Sequence, residues 1–303
     1  MGRCIFIDGQ AGTTGLGIAQ RLAQMRSVTL ITLPESQRKD PQARANAMAQ
    51  ADLTVLCLPD DAAREAVAFA PPQARILDAS SVHRVAPGWV YGFAEALPGQ
   101  AQRIATATRV ANPGCYATGA IALLRPLVAL GILAPTAQVS INAVSGYSGG
   151  GKAMIEAHAA QGGPAFELYG VGLHHKHLPE MMAYGGVQQP PLFVPSVGHF
   201  AQGMLVCIPL FTAQLQRTGS AQALAQAYGD YYAGTETIIV QRDVWRENID
   251  PQGLNGTDNL EIFICANEQA GQILLVARLD NLGKGASGAA VQNIKLMLGD
   301  RDE

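Results

Sequence analysis

Cys115 stands in the stretch Asn112-Pro113-Gly114-Cys115-Tyr116, where Pro113 and Gly114 force a bend and an apolar, Ala-rich segment follows. A helix starting there puts the sulfur at its N-terminus, where the dipole and free N–H groups stabilise a thiolate. That is the setting of a nucleophilic cysteine; the plainer alternative is a small buried hydrophobe. Cys4, Cys57, Cys207 and Cys265 fit the plainer reading, since each falls in an apolar strand-like run. The second candidate is His174-His175-Lys176-His177-Leu178-Pro179-Glu180, which gathers three of the six histidines. The pattern is not H-E-x-x-H and no further His or Cys has ligand-like spacing, so a metal site is disfavoured. A general acid/base is the better reading, because imidazole titrates near neutral pH. Glu180, three residues after His177, would share a helix face with it and orient the ring. A solvated polar loop is the alternative, and for His83, His158 and His199 a structural role is expected.

The third candidate is Gly9-Gln10-Ala11-Gly12-Thr13-Thr14-Gly15, a G-x-x-G-x-x-G loop between a strand and a helix. Glycines there let backbone approach a pyrophosphate, and the helix start supplies partial positive charge. A purely structural tight turn is the alternative. Downstream, Glu35 stands where a ribose-binding acid would be, but Ser36, Arg38 and Lys39 follow it; a hydroxyl and two cations suit a 2′-phosphate, so NADP is expected over NAD. Gly146-Tyr147-Ser148-Gly149-Gly150-Gly151-Lys152-Ala153 nearly spells a P-loop, yet Ala153 lacks the hydroxyl that ligates magnesium, which argues against nucleotide hydrolysis. Its glycines and Lys152 would still shape a substrate-facing loop. Ser80, Ser81 and Arg84 follow a strand and fall where α/β sheets bind ligands.

Elements that position these groups are legible from periodicity. Residues 4–7, 28–33, 52–58 and 75–78 read as strands alternating with helical segments, and Asp60 or Asp61 is placed to cap one of those helices. Repeated β-α-β spacing predicts a doubly wound parallel sheet, an α/β fold. Beyond Asn112 an Ala-rich helix over 116–130 leads into strands near 139–144, 204–210, 237–241, 260–265 and 273–279. That texture predicts a mixed α+β domain with its sheet covered on one face. The segment 285–299 carries Val291, Ile294 and Leu298 at helical spacing.

With 48% hydrophobic residues, a mean hydropathy of +0.11 and 15% charged residues against roughly 25% in an average domain, the chain buries enough surface to exclude intrinsic disorder. Its net charge of −3 and lack of a basic cluster speak against nucleic acid as a partner. No apolar stretch approaches the ~20 residues of a membrane span, and the N-terminus lacks the pattern of a secretion signal. Five irregularly spaced cysteines suit reduced thiols, so a cytoplasmic location is expected.

Taken together these motifs resemble the N-acetyl-gamma-glutamyl-phosphate reductase family, which is related to aspartate-semialdehyde dehydrogenase. The resemblance runs nearly the whole chain: Gly9 to Gly15, Asp78-Ala79-Ser80-Ser81-Val82-His83-Arg84, Gly88-Trp89-Val90-Tyr91-Gly92, Asn112 to Tyr116, Ser145 to Lys152, His175 to Glu180, and Asn281-Leu282-Gly283-Lys284-Gly285-Ala286-Ser287-Gly288. The length and the Asp-Ala-Ser segment, where longer members read Asp-Leu-Ser-Ala-Asp-Phe-Arg, resemble the short branch. The resemblance implies an NADP-binding Rossmann domain over 1–112, an α+β catalytic and dimerisation domain over 113–282, and a C-terminal helix within 283–303 returning to the first domain. It implies Cys115 as nucleophile and His177 as acid/base, a role His175 could exchange with it. Ser80, Arg84, Asn112, Lys152, His175 and Glu180 are then expected at the substrate. Gly9, Gly12, Thr13, Thr14, Gly15, Ser36, Arg38, Lys39, Asn281 and Lys284 are expected at NADP(H). The partners implied are a small-molecule substrate and further copies of the chain, as dimer or tetramer. Rival readings are another acyl-phosphate reductase acting on aspartyl phosphate or a carrier-linked aminoadipyl phosphate, a non-catalytic dinucleotide sensor, and a cysteine hydrolase.

Overall fold

The computed structural model describes residues 2–217, 220–243 and 246–300. The chain divides into two units: one runs to Pro113 and resumes at Ala286, and the other spans Gly114–Gly285.

In the first unit the alternating pattern becomes β1 (Arg3–Asp8), α1 (Thr13–Leu22), β2 (Val28–Ile31), α2 (Pro41–Gln50), β3 (Leu53–Leu56), α3 (Asp60–Phe69), β4 (Ile76–Asp78), β5 (Val90–Tyr91), α4 (Gln100–Thr106) and β6 (Arg109–Ala111). All pairings in the sheet are parallel, in the order β2-β1-β3-β4-β6-β5. Every residue of β3 and β4 is buried, as a parallel sheet covered on both faces requires. Period-two alternation sorts the side chains. Ile5, Ile7, Leu53 and Val55 pack with Ile18 and Leu22 of α1 and with Ile294 and Leu298 near the C-terminus, while Phe6, Leu56 and Ile76 pack on the other side with Met48 of α2 and Ala66 of α3. The strand order reverses between β1 and β3, which is where such sheets open a crevice for ligands. Asp60 is not the cap the sequence suggested. Helix α3 starts at Asp60 behind Pro59 with no side-chain cap, and the Asp60 carboxylate accepts instead from Ser81 N–H at 3.0 Å and Ser81 Oγ at 2.7 Å.

The second unit is a mixed sheet with helices against it. Its elements are α5 (Cys115–Ala129), β7 (Ser140–Gly146), α6 (Gly151–Gln161), β8 (Phe166–Leu168), α7 (Leu178–Gly185), β9 (Leu192–Gly198), β10 (Met204–Phe211), α8 (Ala221–Tyr231), β11 (Ile238–Val240), β12 (Leu260–Asn267) and β13 (Gln272–Leu279), with strands in the order β11-β12-β13-β10-β7-β9-β8. One face of β10, the residues Met204, Val206, Ile208 and Leu210, is buried. Helix α5 lies against it so closely that a Cβ on Gly119 would fall 2.7 Å from Val206. Pro126 sits inside α5 and has no N–H to give to the carbonyl four residues earlier. That carbonyl, Ala122 O, is taken by the Tyr232 hydroxyl at 2.9 Å, and Tyr228 Oη donates to the neighbouring Leu123 O. The opposite face leaves Phe211 and Leu274 exposed, beside a hollow of about 660 Å³ lined also by Pro209, Arg246 and Cys265.

A final helix, α9 (Gly288–Leu298), packs with the first unit, where Asn293 Nδ2 donates to Gly92 O at 2.8 Å. Among the described residues no helix is long and apolar enough to cross a membrane.

Candidate active site

Cys115 is the first helical residue of α5, with Gly114 as the extended residue before it. The bend forced by Pro113 and Gly114 therefore places the sulfur at a helix N-terminus, where partial positive charge favours a thiolate. Two neighbours hold that turn. Gly114 N–H donates to Glu180 Oε2 at 3.1 Å, and Thr118 Oγ donates to Gly114 O at 3.1 Å. Gly285 approaches from another direction; a Cβ there would lie 2.9 Å from Cys115 Cβ, so only glycine fits.

His177 stands at the N-cap position of α7 and Glu180 occupies its first turn, so three residues of sequence separation become one helical turn. His177 Nε2 is 4.0 Å from Glu180 Oε1, and the two are 4% and 1% exposed. A single buried carboxylate thus faces both the acid/base candidate and the backbone next to the nucleophile candidate. His175 Nδ1 accepts from the His177 N–H at 3.1 Å, and the two rings meet edge to face at 4.6 Å. Tyr116 packs on both rings at 6.0 and 6.1 Å, and Phe193 and Tyr169 lie 5.0 and 6.0 Å from His175. Burial pushes the phenols of Tyr116 and Tyr169 up, and both feel the Cys115 sulfur as a further charge nearby. Sequence reasoning passed over this aromatic wall, since Tyr116 looked like helix and nothing marked Tyr169 or Phe193.

The other cysteines are placed differently. Burial first, then the nearby Asp78 and Asp8 carboxylates, pushes the Cys57 thiol up to about 12; burial first pushes Cys207 up to about 11. Such thiols stay protonated at neutral pH and do not act as nucleophiles.

The glycine loop lies at the end of β1. Gly9 has φ +86° and a Cβ there would sit 2.3 Å from Cys57 O, while one on Gly15 would sit 2.6 Å from Gly9 O, so both positions demand glycine. Gly12 precedes α1, whose first residues are Thr13 and Thr14. A hollow of about 380 Å³ opens here, lined by Asp8, Gly9, Gln10, Ala11, Leu33 and Arg38 among others. Backbone amides, a helix start and the Arg38 cation around one hollow fit a dinucleotide. Ser36, Arg38 and Lys39 are exposed after β2.

The remaining expected residues divide by unit. In the first, Ser80 Oγ and His83 Nδ1 meet Asp78 Oδ2, both at 2.6 Å, and Trp89 stacks on His83 at 4.1 Å. Arg84 Nε donates to Asn112 O, and the Asn112 amide joins Ala286 O and Asn293. In the second, the Lys152 side chain is 81% exposed with Glu156 at 3.7 Å. Asn281 accepts from Gly203 N–H and donates to Ser148 Oγ, which ties the near-P-loop to the β10 side. Lys284 is buried, and its ammonium donates to Thr237 Oγ at 2.9 Å. The structure thus brings Cys115, His175, His177 and Glu180 together, and leaves Lys152 outside that cluster.

Comparison with known proteins adds the family context. The family model described as "Semialdehyde dehydrogenase, dimerisation domain" matches residues 115–281. The N-acetyl-gamma-glutamyl-phosphate reductase 2 of Pseudomonas putida is 51% identical over 97% of this chain and 96% of its own length. The N-acetyl-gamma-glutamyl-phosphate reductase of Trichormus variabilis is 48% identical over 99% and 98%. Among solved structures, aspartate semialdehyde dehydrogenase II from Vibrio cholerae superposes with a TM-score of 0.74 at 16% identity, covering all of both chains. The Candida albicans enzyme crystallised with NADP gives 0.69 at 13% identity, over 98% of this chain and 99% of that one.

Proposed function

The chain belongs to the N-acetyl-gamma-glutamyl-phosphate reductase family, and from that premise we propose that Cys115 carries the acyl group through its reaction. The protein is an NADP-dependent acyl-phosphate reductase of arginine biosynthesis: it converts N-acetyl-L-glutamyl 5-phosphate to N-acetyl-L-glutamate 5-semialdehyde and phosphate. The observation that carries the residue assignment is Glu180, whose carboxylate faces both His177 and the Gly114 amide beside Cys115.

The Cys115 thiolate, stabilised by the start of α5, attacks the acyl carbonyl and the carbon–oxygen bond to phosphate breaks, leaving a thioester. Covalent capture removes the dianionic phosphate before reduction, so a neutral thioester faces a dry site. The glycine loop and Arg38 would hold NADPH, which would supply a hydride to the thioester carbonyl on Cys115. His177 gives a proton to the oxygen of the resulting thiohemiacetal and takes it back as that species collapses to semialdehyde and the Cys115 thiolate. Glu180 holds the ring and the nucleophile's turn in register, and His175 supports the His177 backbone. Ser80, Arg84, Asn112 and Lys152 remain our candidates for substrate contact. Gly9, Gly12, Thr13, Thr14, Gly15, Ser36, Arg38, Lys39, Asn281 and Lys284 remain those for the cofactor, with the hollow at the glycine loop as the support for the first group. The exposed apolar face of β10 and β13 supports self-association of the dimerisation-type unit into a dimer or tetramer, and reduced cysteines suit the cytoplasm.

Cys115→Ser tests the covalent route in the reverse direction, phosphate-dependent oxidation of the semialdehyde with NADP. Turnover is expected to vanish while NADPH affinity stays within twofold of wild type, roughly 0.4 kcal/mol. Retained turnover would sink the mechanism.

A further inference from the structure

A buried ion pair stands behind the glycine loop and has no part in the chemistry derived above. Asp8, the last residue of β1, and Arg44 of α2 are 5% and 7% exposed. Arg44 Nε donates to Asp8 Oδ2 at 2.8 Å, Nη2 is 2.7 Å from the same oxygen, and the guanidinium lies 4.9 Å over the Phe69 ring. Asp8 also lines the hollow at the glycine loop, beside Gly9, Gln10 and Ala11, whereas Arg44 does not.

The neighbouring strand ends explain why a cation is needed there. Strand β4 ends in Asp78, and Cys57, just past β3, feels both Asp78 and Asp8. Three adjacent parallel strands therefore end in a carboxylate, a thiol and a carboxylate, on the edge where doubly wound sheets receive a ligand's phosphates. Asp78 has His83 at 2.6 Å. Asp8 has Arg44. Left without its cation, Asp8 would present a buried negative charge to an incoming pyrophosphate, with little water to screen it.

We propose that Arg44 is a positioning residue for the dinucleotide: acting through Asp8, it cancels the charge at the end of β1 so that the glycine loop accepts the cofactor's phosphates. The inference rests on the glycine loop being the NADP site. The titratable and charged groups near Asp8 are Arg44 from α2, Cys57 just past β3, Asp78 of β4 beyond it, and Arg38, which lines the same hollow. Burial already raises the Asp8 carboxyl, against the lowering influence of Arg44. Removing Arg44 raises it further, so Asp8 takes up a proton as pH falls and the repulsion disappears.

The test is NADPH binding, read by fluorescence titration at pH 8 and pH 6 for wild type, Arg44→Met, Asp8→Asn and the double variant. Arg44→Met is expected to raise Kd about tenfold or more at pH 8, with the gap to wild type narrowing at pH 6. The double variant, having neither charge, is expected to return to within about threefold of wild type at both pH values. A folded Arg44→Met protein that binds like wild type at pH 8 overturns the inference, as does a loss that is flat in pH and not rescued by Asp8→Asn. Should Arg44→Met fail to fold, Asp8→Asn decides: it is expected to bind NADPH at least as tightly as wild type, and a tenfold weakening overturns the inference. A wild-type protein that binds no NADPH overturns the cofactor reading and this inference together; wild-type binding with an indifferent Arg44→Met overturns this inference alone.

Discussion

Replacing Glu180 separates two roles that the structure gives to one carboxylate. Glu180→Ala removes the acceptor of the Gly114 N–H and the carboxylate 4.0 Å from His177, in a place with almost no solvent access. Gly114 is itself buried, so its N–H is left without its acceptor at a cost of about 1–3 kcal/mol, and a hydrogen bond to a charged acceptor is worth about 1.5–3 kcal/mol. These are two views of one loss, so about 2–3 kcal/mol is the expected destabilisation. For a unit of this size each kcal/mol moves Tm by roughly 2–4 °C, which gives a fall of about 4–12 °C. Glu180→Gln keeps an amide oxygen for Gly114 but removes the charge that faces His177. It should therefore lose little stability, within about 1 kcal/mol, yet share the loss of turnover. A nucleophile or acid/base displaced by about 1 Å costs on the order of 10²-fold, and that is the expected loss of kcat in both variants. Thermal unfolding and the phosphate-dependent reverse assay read the two effects separately. Should Glu180→Gln and Glu180→Ala both turn over like wild type, the carboxylate does not organise the site and the assignment built on it fails.

Further outcomes follow from neighbouring contacts. His177→Asn is expected to lower turnover by about 10²–10⁴-fold with NADPH affinity unchanged, and a loss of that size in the His175 variant alone would reverse the two roles. Gly285→Ala forces a Cβ to within 2.9 Å of Cys115 Cβ. Overpacking of this kind costs about 1–3 kcal/mol, so both Tm and kcat should fall; an unchanged kcat would mean that the Cys115 turn yields without consequence. Iodoacetamide at pH 8 should label Cys115 well ahead of Cys57 and Cys207. With thiols raised to about 12 and about 11, their thiolate fractions at pH 8 are roughly 10⁻⁴ and 10⁻³. Because the shifts are upward, labelling of Cys207 should rise toward pH 10, as peptide mass mapping would show.

The sequence made the chemistry of the site easier to see than its supports. Cys115 and His177 stood out because proline, glycine and clustered imidazoles are local signals, and the spacing of Glu180 from His177 is one helical turn. The bond from Gly114 to Glu180 links residues 66 apart, and only the packing of α7 on α5 creates it. Nothing in the sequence marked Arg44, since burial of its head depends on where α2 lies against β1. In the first unit the apolar runs at 4–7, 28–33, 52–58 and 75–78 marked β1 to β4, whereas β5 and β6, of two and three residues, lie between motifs and drew no strand reading. Strand β9 was masked by Pro195, because proline argues against an interior strand. It is accommodated all the same, with Pro195 paired in register with Ala143 and its carbonyl taken by the Tyr169 N–H.

The proline within α5 has an evolutionary consequence. Because Pro126 releases the Ala122 carbonyl and the Tyr232 hydroxyl takes it, the two positions share a single interaction although 106 residues separate them. Replacing Pro126 with an ordinary helix former would bring a backbone N–H to compete with the Tyr232 hydroxyl for that carbonyl. Replacing Tyr232 with phenylalanine would orphan the carbonyl instead. The two positions are coupled through that carbonyl, so sequences of this family should covary at positions 126 and 232, a signature of how α5 is tied to the end of α8.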